Sequence, residues 1–533
     1  MRSPCEATRN AVPQTAAPEE ADRGQETFCP QRQRRFVLIA AILASALGFI
    51  DGSVVAIATP AIRADLGATL ADAQWISNAY ALALSALILA GGAAGDSFGL
   101  RRTFAAGIAL FTFASVLCAL VPDAQTLIAA RALQGVGAAL MIPGSLAIIA
   151  KAYPRAERGR AIGIWAASSA LTTALGPVIG GFVLSAFDDA VWRAIFAINL
   201  PLGALALYLL LARVPPDRPS DGRSLDPVGA GLATLAFGAL AYGLTAMTPE
   251  GGEAVLSASL PPALAGLVLV GVFVWWEGRH RAPMVDLALF RIGAFSGANA
   301  ATFCLYFALS AILFYLPMLL IAGWGLSPAA TGFIFLPLSG AIALLSGPVG
   351  SLADRIGPRL PIAGGSLLVA AAFAGLALAA GFGLRGFWSV VFPLMGLMGL
   401  GMALVVSPLS TAVMTAVEDA DTGAASGINN AVSRLAGLIA VAAMGGLAGL
   451  RYLAALDGAA AEALPGFGEK PAEALAPQAE ALRLAASNAA FAAVAWVAAA
   501  LSLLSAAIAW LTVPGAGAQA PEAQAGAASR TAG

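Results

Sequence analysis

Charge is scarce in this chain. Of 533 residues, 11% are charged and 59% hydrophobic, and mean hydropathy is +0.83. A soluble domain carries about 25% charged residues, so too few are present here to cover a water-facing surface, and the composition is that of a membrane protein. Histidine is scarcer still: His280 stands alone, which removes most histidine-based catalysis and metal chemistry. The four cysteines, Cys5, Cys29, Cys118 and Cys304, lie far apart without metal-ligand spacing; neither a zinc site nor a disulfide scaffold is indicated. A net charge of −1 gives no reason to expect nucleic acid.

What is abundant is uninterrupted apolar sequence. A helix needs roughly 20 apolar residues to cross about 30 Å of hydrocarbon. Runs free of Asp, Glu, Lys, Arg and His cover 36–50, 73–95, 103–122, 132–150, 161–187, 194–212, 227–249, 254–276, 360–384, 386–417 and 484–521. The run 292–353 is too long for one helix and divides near Gly323-Trp-Gly-Leu-Ser-Pro328; another span lies near 424–449, interrupted by Arg434. The expectation is an all-α polytopic protein of about fourteen spans. Basic residues fall mainly in alternate connections, among them Arg101/Arg102, Lys151/Arg155/Arg158/Arg160, Arg279/Arg281/Arg291 and Arg355/Arg359. By the positive-inside rule both termini are expected in the cytoplasm of a cell with an inner membrane. The acidic stretch Glu418-Asp-Ala-Asp421 runs against that pattern, but acids weigh little in the rule. Residues 1–35 and 514–533 read as disordered cytoplasmic tails, and 451–483 as an outer segment with an amphipathic stretch.

One motif occurs twice. Gly92-Ala-Ala-Gly-Asp96-Ser-Phe-Gly99-Leu-Arg101-Arg102 and Gly350-Ser-Leu-Ala-Asp354-Arg355-Ile-Gly357-Pro-Arg359 each separate two apolar runs. A duplicated turn of this kind resembles the signature loop of the major facilitator superfamily of transporters. Three further motifs carry the resemblance. Leu127-x3-Arg131-x2-Gln134-Gly135-x-Gly137 matches that family's intramembrane arginine motif; Gly176-Pro177-Val-Ile-Gly180-Gly181 looks like the motif marking its antiporters; Trp192-Arg193-x2-Phe196-x-Ile198-Asn199-x-Pro201 is similar to the fifth-to-sixth connection of the fourteen-span drug:proton antiporter branch, the EmrB/QacA type. The resemblance implies a major facilitator fold: a six-helix bundle at 36–212, a linker with two extra transmembrane helices at 213–285 and a second six-helix bundle at 286–513, rocking around a central site.

Asp51 stands inside the otherwise apolar first span. An intramembrane carboxylate is costly unless neutralised, paired or hydrated, and burial favours the neutral form of a carboxyl group, which suits one that takes up and releases a proton. Arg131 does not deprotonate and must find an anion, a carbonyl or water. Asp51 is about nine residues, roughly 13 Å, from the outer end of its span, and Arg131 about six, roughly 9 Å, inside its own; the two are expected to meet. Two readings stand: a proton carrier tuned by the arginine, the roles the resemblance also implies, or a fixed ion pair tying helices together. Gly176, Pro177, Gly180 and Gly181 permit close helix packing and a bend; the resemblance adds a seal against proton leak. The two loops are expected to form a cytoplasmic gate, with Asp96 or Asp354 pairing with arginines or a helix N-terminus, or merely to set topology.

Arg434 lies near the midplane of its span, either lining a cavity and attracting an anion or satisfying backbone carbonyls at a helix contact. Further candidates for the substrate cavity are Gln134, Asn78, Tyr80, Asn299, Phe303, Tyr306 and Phe307, with Phe314, Tyr315 and Trp75 as additional aromatic surface for a flat ligand. No second intramembrane carboxylate is evident, so neutral, monocationic or amphiphilic substrates are at least as well matched as divalent cations. No Gly-x4-Gly-Lys-Ser/Thr loop occurs, so energy is expected from an ion gradient, without cofactor or metal. The resulting expectation is a monomeric, non-enzymatic proton antiporter exporting small hydrophobic or amphiphilic compounds, embedded in lipid, with a separately encoded periplasmic adaptor allowed. A narrow exporter of one metabolite or antibiotic is the alternative; an importer by proton symport is disfavoured by Gly176-Pro177.

Overall fold

The computed structural model describes residues 28–187, 189–217, 226–247, 255–281, 283–418, 421–456, 463–471 and 473–515. Most of the two expected tails, 1–27 and 516–533, lies outside the described residues, as do parts of the 213–285 linker and of the 451–483 segment. Among the described residues, fourteen helices are long and apolar enough to cross a membrane. In chain order they are α1 Gln31–Leu66, α2 Leu70–Phe98, α3 Leu100–Leu120, α4 Ala124–Ala152, α5 Arg155–Ala186, α6 Trp192–Arg213, α7 Pro227–Thr245, α8 Val255–Glu277, α9 Gly293–Gly323, α10 Pro328–Ile356, α11 Arg359–Gly381, α12 Phe387–Thr415, α13 Thr422–Ala454 and α14 Pro477–Thr512. The chain is a multi-pass membrane protein. Because successive spans alternate in direction, α1 begins and α14 finishes at one end, called here the near end.

Hydrophobic length explains the spans, and glycine explains how tightly some are joined. Gly92 to Phe98 belong to the last turns of α2, and the loop read from the sequence shrinks to Gly99, whose φ of +95° suits a residue without Cβ. Gly357, with φ of +80°, does the same between α10 and α11. The first helix begins at Gln31, inside the segment expected to be a tail, and runs on through Pro60 to Leu66.

Helices α1–α6 pack as one bundle and α9–α14 as another. The bundles meet through two equivalent pairs, α2 with α13 and α5 with α10, as a two-fold relation between halves requires. Helix α9 is the most enclosed of all spans and α8 the least. The extra pair is not a free appendage: α7 packs on both α2 and α13, covering the seam between bundles, while α8 packs on α7. Asp226 secures that hairpin, accepting from Gly229 N at 2.8 Å and from Trp276 Nε1 at 2.9 Å.

Candidate functional site

The first bundle buries one polar cluster. Asp51 on α1, Arg131 and Gln134 on α4, Ser115 on α3 and Asn199 on α6 are each at most 1% exposed. Arg131 Nη1 donates to Asp51 Oδ2 and to Gln134 Oε1, both at 2.5 Å, and Arg131 Nε donates to the Ile76 carbonyl on α2 at 3.0 Å. Gln134 Nε2 donates to Asp51 Oδ1 at 3.0 Å and to Ser115 Oγ at 2.8 Å; Asn199 Nδ2 donates to the same hydroxyl at 3.2 Å. The guanidinium carbon lies 4.4 Å from the Tyr80 ring centre, a cation–π placement. Both oxygens of Asp51 therefore accept, one from a guanidinium and one from an amide. The ion pair was legible in the sequence; its bridge was not. Gln134, read as a cavity group, is wholly enclosed between acid and base; its place in the arginine motif, one helical turn from Arg131, was the signal for that role.

Beside this cluster lies a cavity of about 440 Å³ between the bundles, within the range of small-molecule sites. Of the residues singled out beforehand, Asn78, Tyr80, Tyr306, Arg131 and Arg434 line it. Phe303, Phe307 and Asn299 do not. Phe303 and Phe307 pack in the second bundle's core, and Asn299 is taken by Asn429, which also donates to Thr302 Oγ1 at 2.8 Å. Phe314, another of the α9 aromatics read from the sequence, lines it, as does Ser310. Arg434 and Asn430 also line a second space that continues along α13 through Ser426 and Gly423 toward the near end.

The far end is closed across the bundles. Gln74 Nε2 on α2 donates to Tyr315 Oη at 2.9 Å and to the Val441 carbonyl at 2.5 Å. Arg63 on α1 donates to the Phe467 carbonyl at 2.7 Å, and Ser185 Oγ accepts from Ala329 N at 2.9 Å. The glycine motif of α5 lies at this closure with two faces. Gly176 and Gly180 sit against Ile50 and Val54, the neighbours of Asp51 on α1; Gly181 sits against the Pro328 backbone of α10, and Gly332 of α10 in turn against the Pro177 carbonyl. Toward the near end the same two helices part: a Cβ on Gly159 or Gly163 of α5, or on Gly340 or Gly347 of α10, would meet nothing within 4 Å. The cavity is continued toward the near end by the second space along α13.

At the near end the two duplicated turns bind within their own bundles. Leu100 N and Arg101 N, at the start of α3, donate to Asp217 at 2.9 Å, and Lys151 Nζ lies 3.0 Å from the same carboxylate. Arg101 also donates to the carbonyls of Leu210 and Leu211, and Arg359 donates to that of Val513. Asp354 and Arg355 are exposed. The helix N-terminus expected to attract Asp96 is occupied by Asp217, which the sequence reading passed over because it lies 117 residues away. Burial acts to raise the Asp217 carboxyl, but the Arg101 amide, Lys151 and the Leu100 amide outweigh it and hold it below the usual aspartate range. A depressed carboxyl contributes stability above its unfolded pKa of about 3.9 and loses it as pH falls through the lower folded value. Asp217→Asn is therefore expected to lower stability in detergent by about 1–3 kcal/mol, equally at pH 5 and pH 8. Thermal melts would check this, and an unchanged melting point would rule out the contact as a structural tie.

Known proteins share this arrangement. The Major Facilitator Superfamily model matches residues 41–441. The multidrug resistance protein Stp of Mycobacterium tuberculosis (strain CDC 1551 / Oshkosh) is 35% identical over 436 residues, covering 81% of this chain and 79% of its own. The tetracenomycin C resistance and export protein of Streptomyces glaucescens is 33% identical over 448 residues, covering 82% and 81%. Among solved structures, a D-xylose-proton symporter superposes with a TM-score of 0.61 at 17% identity, covering 90% of this chain and 98% of that one, which shows the shared fold. On the strength of the matched family model, the similar relatives and the two bundles about a central cavity, this chain belongs to the major facilitator superfamily and is a transport protein.

Proposed function

We propose that the chain is a proton-coupled antiporter that exports small hydrophobic or amphiphilic compounds by alternating access, with the near end and both termini in the cytoplasm of an inner membrane. The orientation rests on the basic near-end connections. Export is supported by the names of the relatives, which include a multidrug resistance protein and an antibiotic resistance and export protein. The observation that carries proton coupling is the buried Asp51–Arg131 pair beside the cavity.

The proposed cycle follows from charge. With the cavity open to the cytoplasm, Asp51 faces Arg131 and Gln134 as acceptor, and in the proposed cycle this state has released its proton and accepts substrate. After the bundles rock and substrate leaves, a proton from outside neutralises Asp51 and breaks its claim on Arg131. Asp51 shares α1 with Ile50 and Val54, which bear on Gly176 and Gly180. A change at the carboxylate is thereby one helix contact from the α5–α10 closure, and differential stabilisation of the two states is what coupling requires.

Energised inverted vesicles containing an internal pH dye test this reading. Lipophilic compounds that are substrates are expected to evoke proton release from the lumen. Proton movement in the opposite sense would establish symport and end the antiport reading.

A further inference from the structure

The central cavity carries a positive charge that no described residue pairs with. Its lining includes two arginines and no carboxylate. Arg131 is neutralised by Asp51, which lies behind the cavity wall at 1% exposure. Arg434 makes no hydrogen bond or ion pair to any described residue, so the backbone-carbonyl role open to it from the sequence is not the one it fills. Its place is the junction of the cavity with the near-end space, where both are lined by Arg434 and Asn430. An incoming solute meets this charge before it reaches the ion pair.

Two further observations give the site a chemical sense. Across the cavity on α2, Asn78 is 1% exposed and its Nδ2 donor is buried without a partner. Asn78 is part of the cavity wall, but that nitrogen is enclosed behind it. Ser433 and Asn430 add polar groups beside Arg434, while Tyr80, Tyr306 and Phe314 supply aromatic surface. The wall thus offers a guanidinium, hydroxyl and amide groups and flat apolar faces, with no acid among the described residues to receive a cation.

We propose that this cavity binds its substrates as anions: acidic aromatic amphiphiles whose carboxylate or ionised phenol oxygens are held by the Arg434 guanidinium, and whose flat body lies on the tyrosine and phenylalanine surfaces. A guanidinium fork suits paired carboxylate oxygens better than a point charge does. A lipophilic cation is repelled by Arg434 and has only the aromatic faces, with no carboxylate among the described lining residues, to offset that repulsion. An inside-negative membrane potential itself drives an anion outward. The inference rests on the export reading for the direction of transport, and on the cavity alone for the class of ligand.

The test uses one aromatic body with three heads: 1-pyrenebutyrate, its methyl ester, and a pyrenylalkyl trimethylammonium salt. Binding to the purified full-length protein is followed by fluorescence. The wild type is expected to hold the carboxylate about tenfold tighter than either of the others, the worth of one charge-assisted contact. Arg434→Gln is expected to erase that preference while leaving ester binding intact, which certifies that the variant is folded; Arg434→Lys is expected to keep part of it. Equal or tighter binding of the trimethylammonium salt, a uniform loss for all three probes in Arg434→Gln, or no binding by the wild type would each overturn the proposal. Inverted vesicles separate the two readings. Proton release evoked by the cation and not the carboxylate would leave antiport standing and sink the anion site. Head-group preference without proton release would do the reverse.

Discussion

Replacing Asp51 by Asn is expected to abolish proton-driven export while leaving substrate exchange in place. Asn is close in size to Asp, so the cluster is perturbed in charge far more than in volume. Its Oδ1 can still accept from Arg131, but its amide meets Gln134 Nε2, also a donor, where Asp51 Oδ1 now accepts. One contact is lost whichever way the amides turn, at a cost of about 1–3 kcal/mol. The larger effect is electrostatic. Arg131, 1% exposed, loses its counter-charge permanently, which reproduces the state with a protonated Asp51 and removes the choice between two states. In inverted vesicles, substrate-evoked proton release should fall to the level of vesicles lacking the protein. Counterflow of preloaded substrate, which needs rocking and no proton, should persist. Full proton-driven accumulation by the variant would return the pair to a plain structural tie.

Gly181→Ala is expected to open the far end. A Cβ there would fall 2.9 Å from the carbonyl carbon of Pro328 and 3.1 Å from Ala329 Cα, and closer still to the Pro328 oxygen. All of these are backbone atoms of α10, so no side chain can turn aside. Overpacking of this kind costs about 1–3 kcal/mol, and the cost falls only on the state in which α5 and α10 are pressed together. The population should shift about tenfold or more toward the far-end-open state, at 1.4 kcal/mol per factor of ten. The reporter is Thr331→Cys, placed at a fully buried position on α10, with Cys5 replaced by Ser; Cys29, Cys118 and Cys304 are buried. A membrane-impermeant maleimide applied outside should label it at least about tenfold faster with Gly181→Ala. Gly340→Ala, where the added Cβ meets nothing within 4 Å, is the matched control. Equal labelling of the two would show that the Gly181 contact does not hold the far end shut.

The two expected results divide the site in an instructive way. Asp51 and Arg131 stood out in the sequence because charge inside an apolar run is conspicuous, and their pairing followed from similar depth. The depth estimate was short for α1, which continues to Leu66, yet the pair forms because α1 overruns its apolar core at the far end. The glycine motif was legible as a packing surface. That Gly180 serves α1 and Gly181 serves α10 was not, since adjacent residues on a helix point in different directions and only the neighbours decide what each direction means.

The sequence by itself determined the class of protein, its fourteen spans, the duplication of halves, and the buried acid and base. Each of these depends on a short stretch of chain, because the bilayer acts on every segment separately: a run is long and apolar enough to cross, or it is not. Only the tertiary structure decided which faces look into the cavity. Phe303 and Phe307 turned to the core while Phe314 turned inward, Asn299 was spent on Asn429, and Arg434 came to the cavity without a partner. In a soluble helix, polarity separates the buried face from the exposed one. In a membrane helix the lipid and the bundle interior are both apolar, so hydropathy carries no record of orientation, and long-range packing alone sets it.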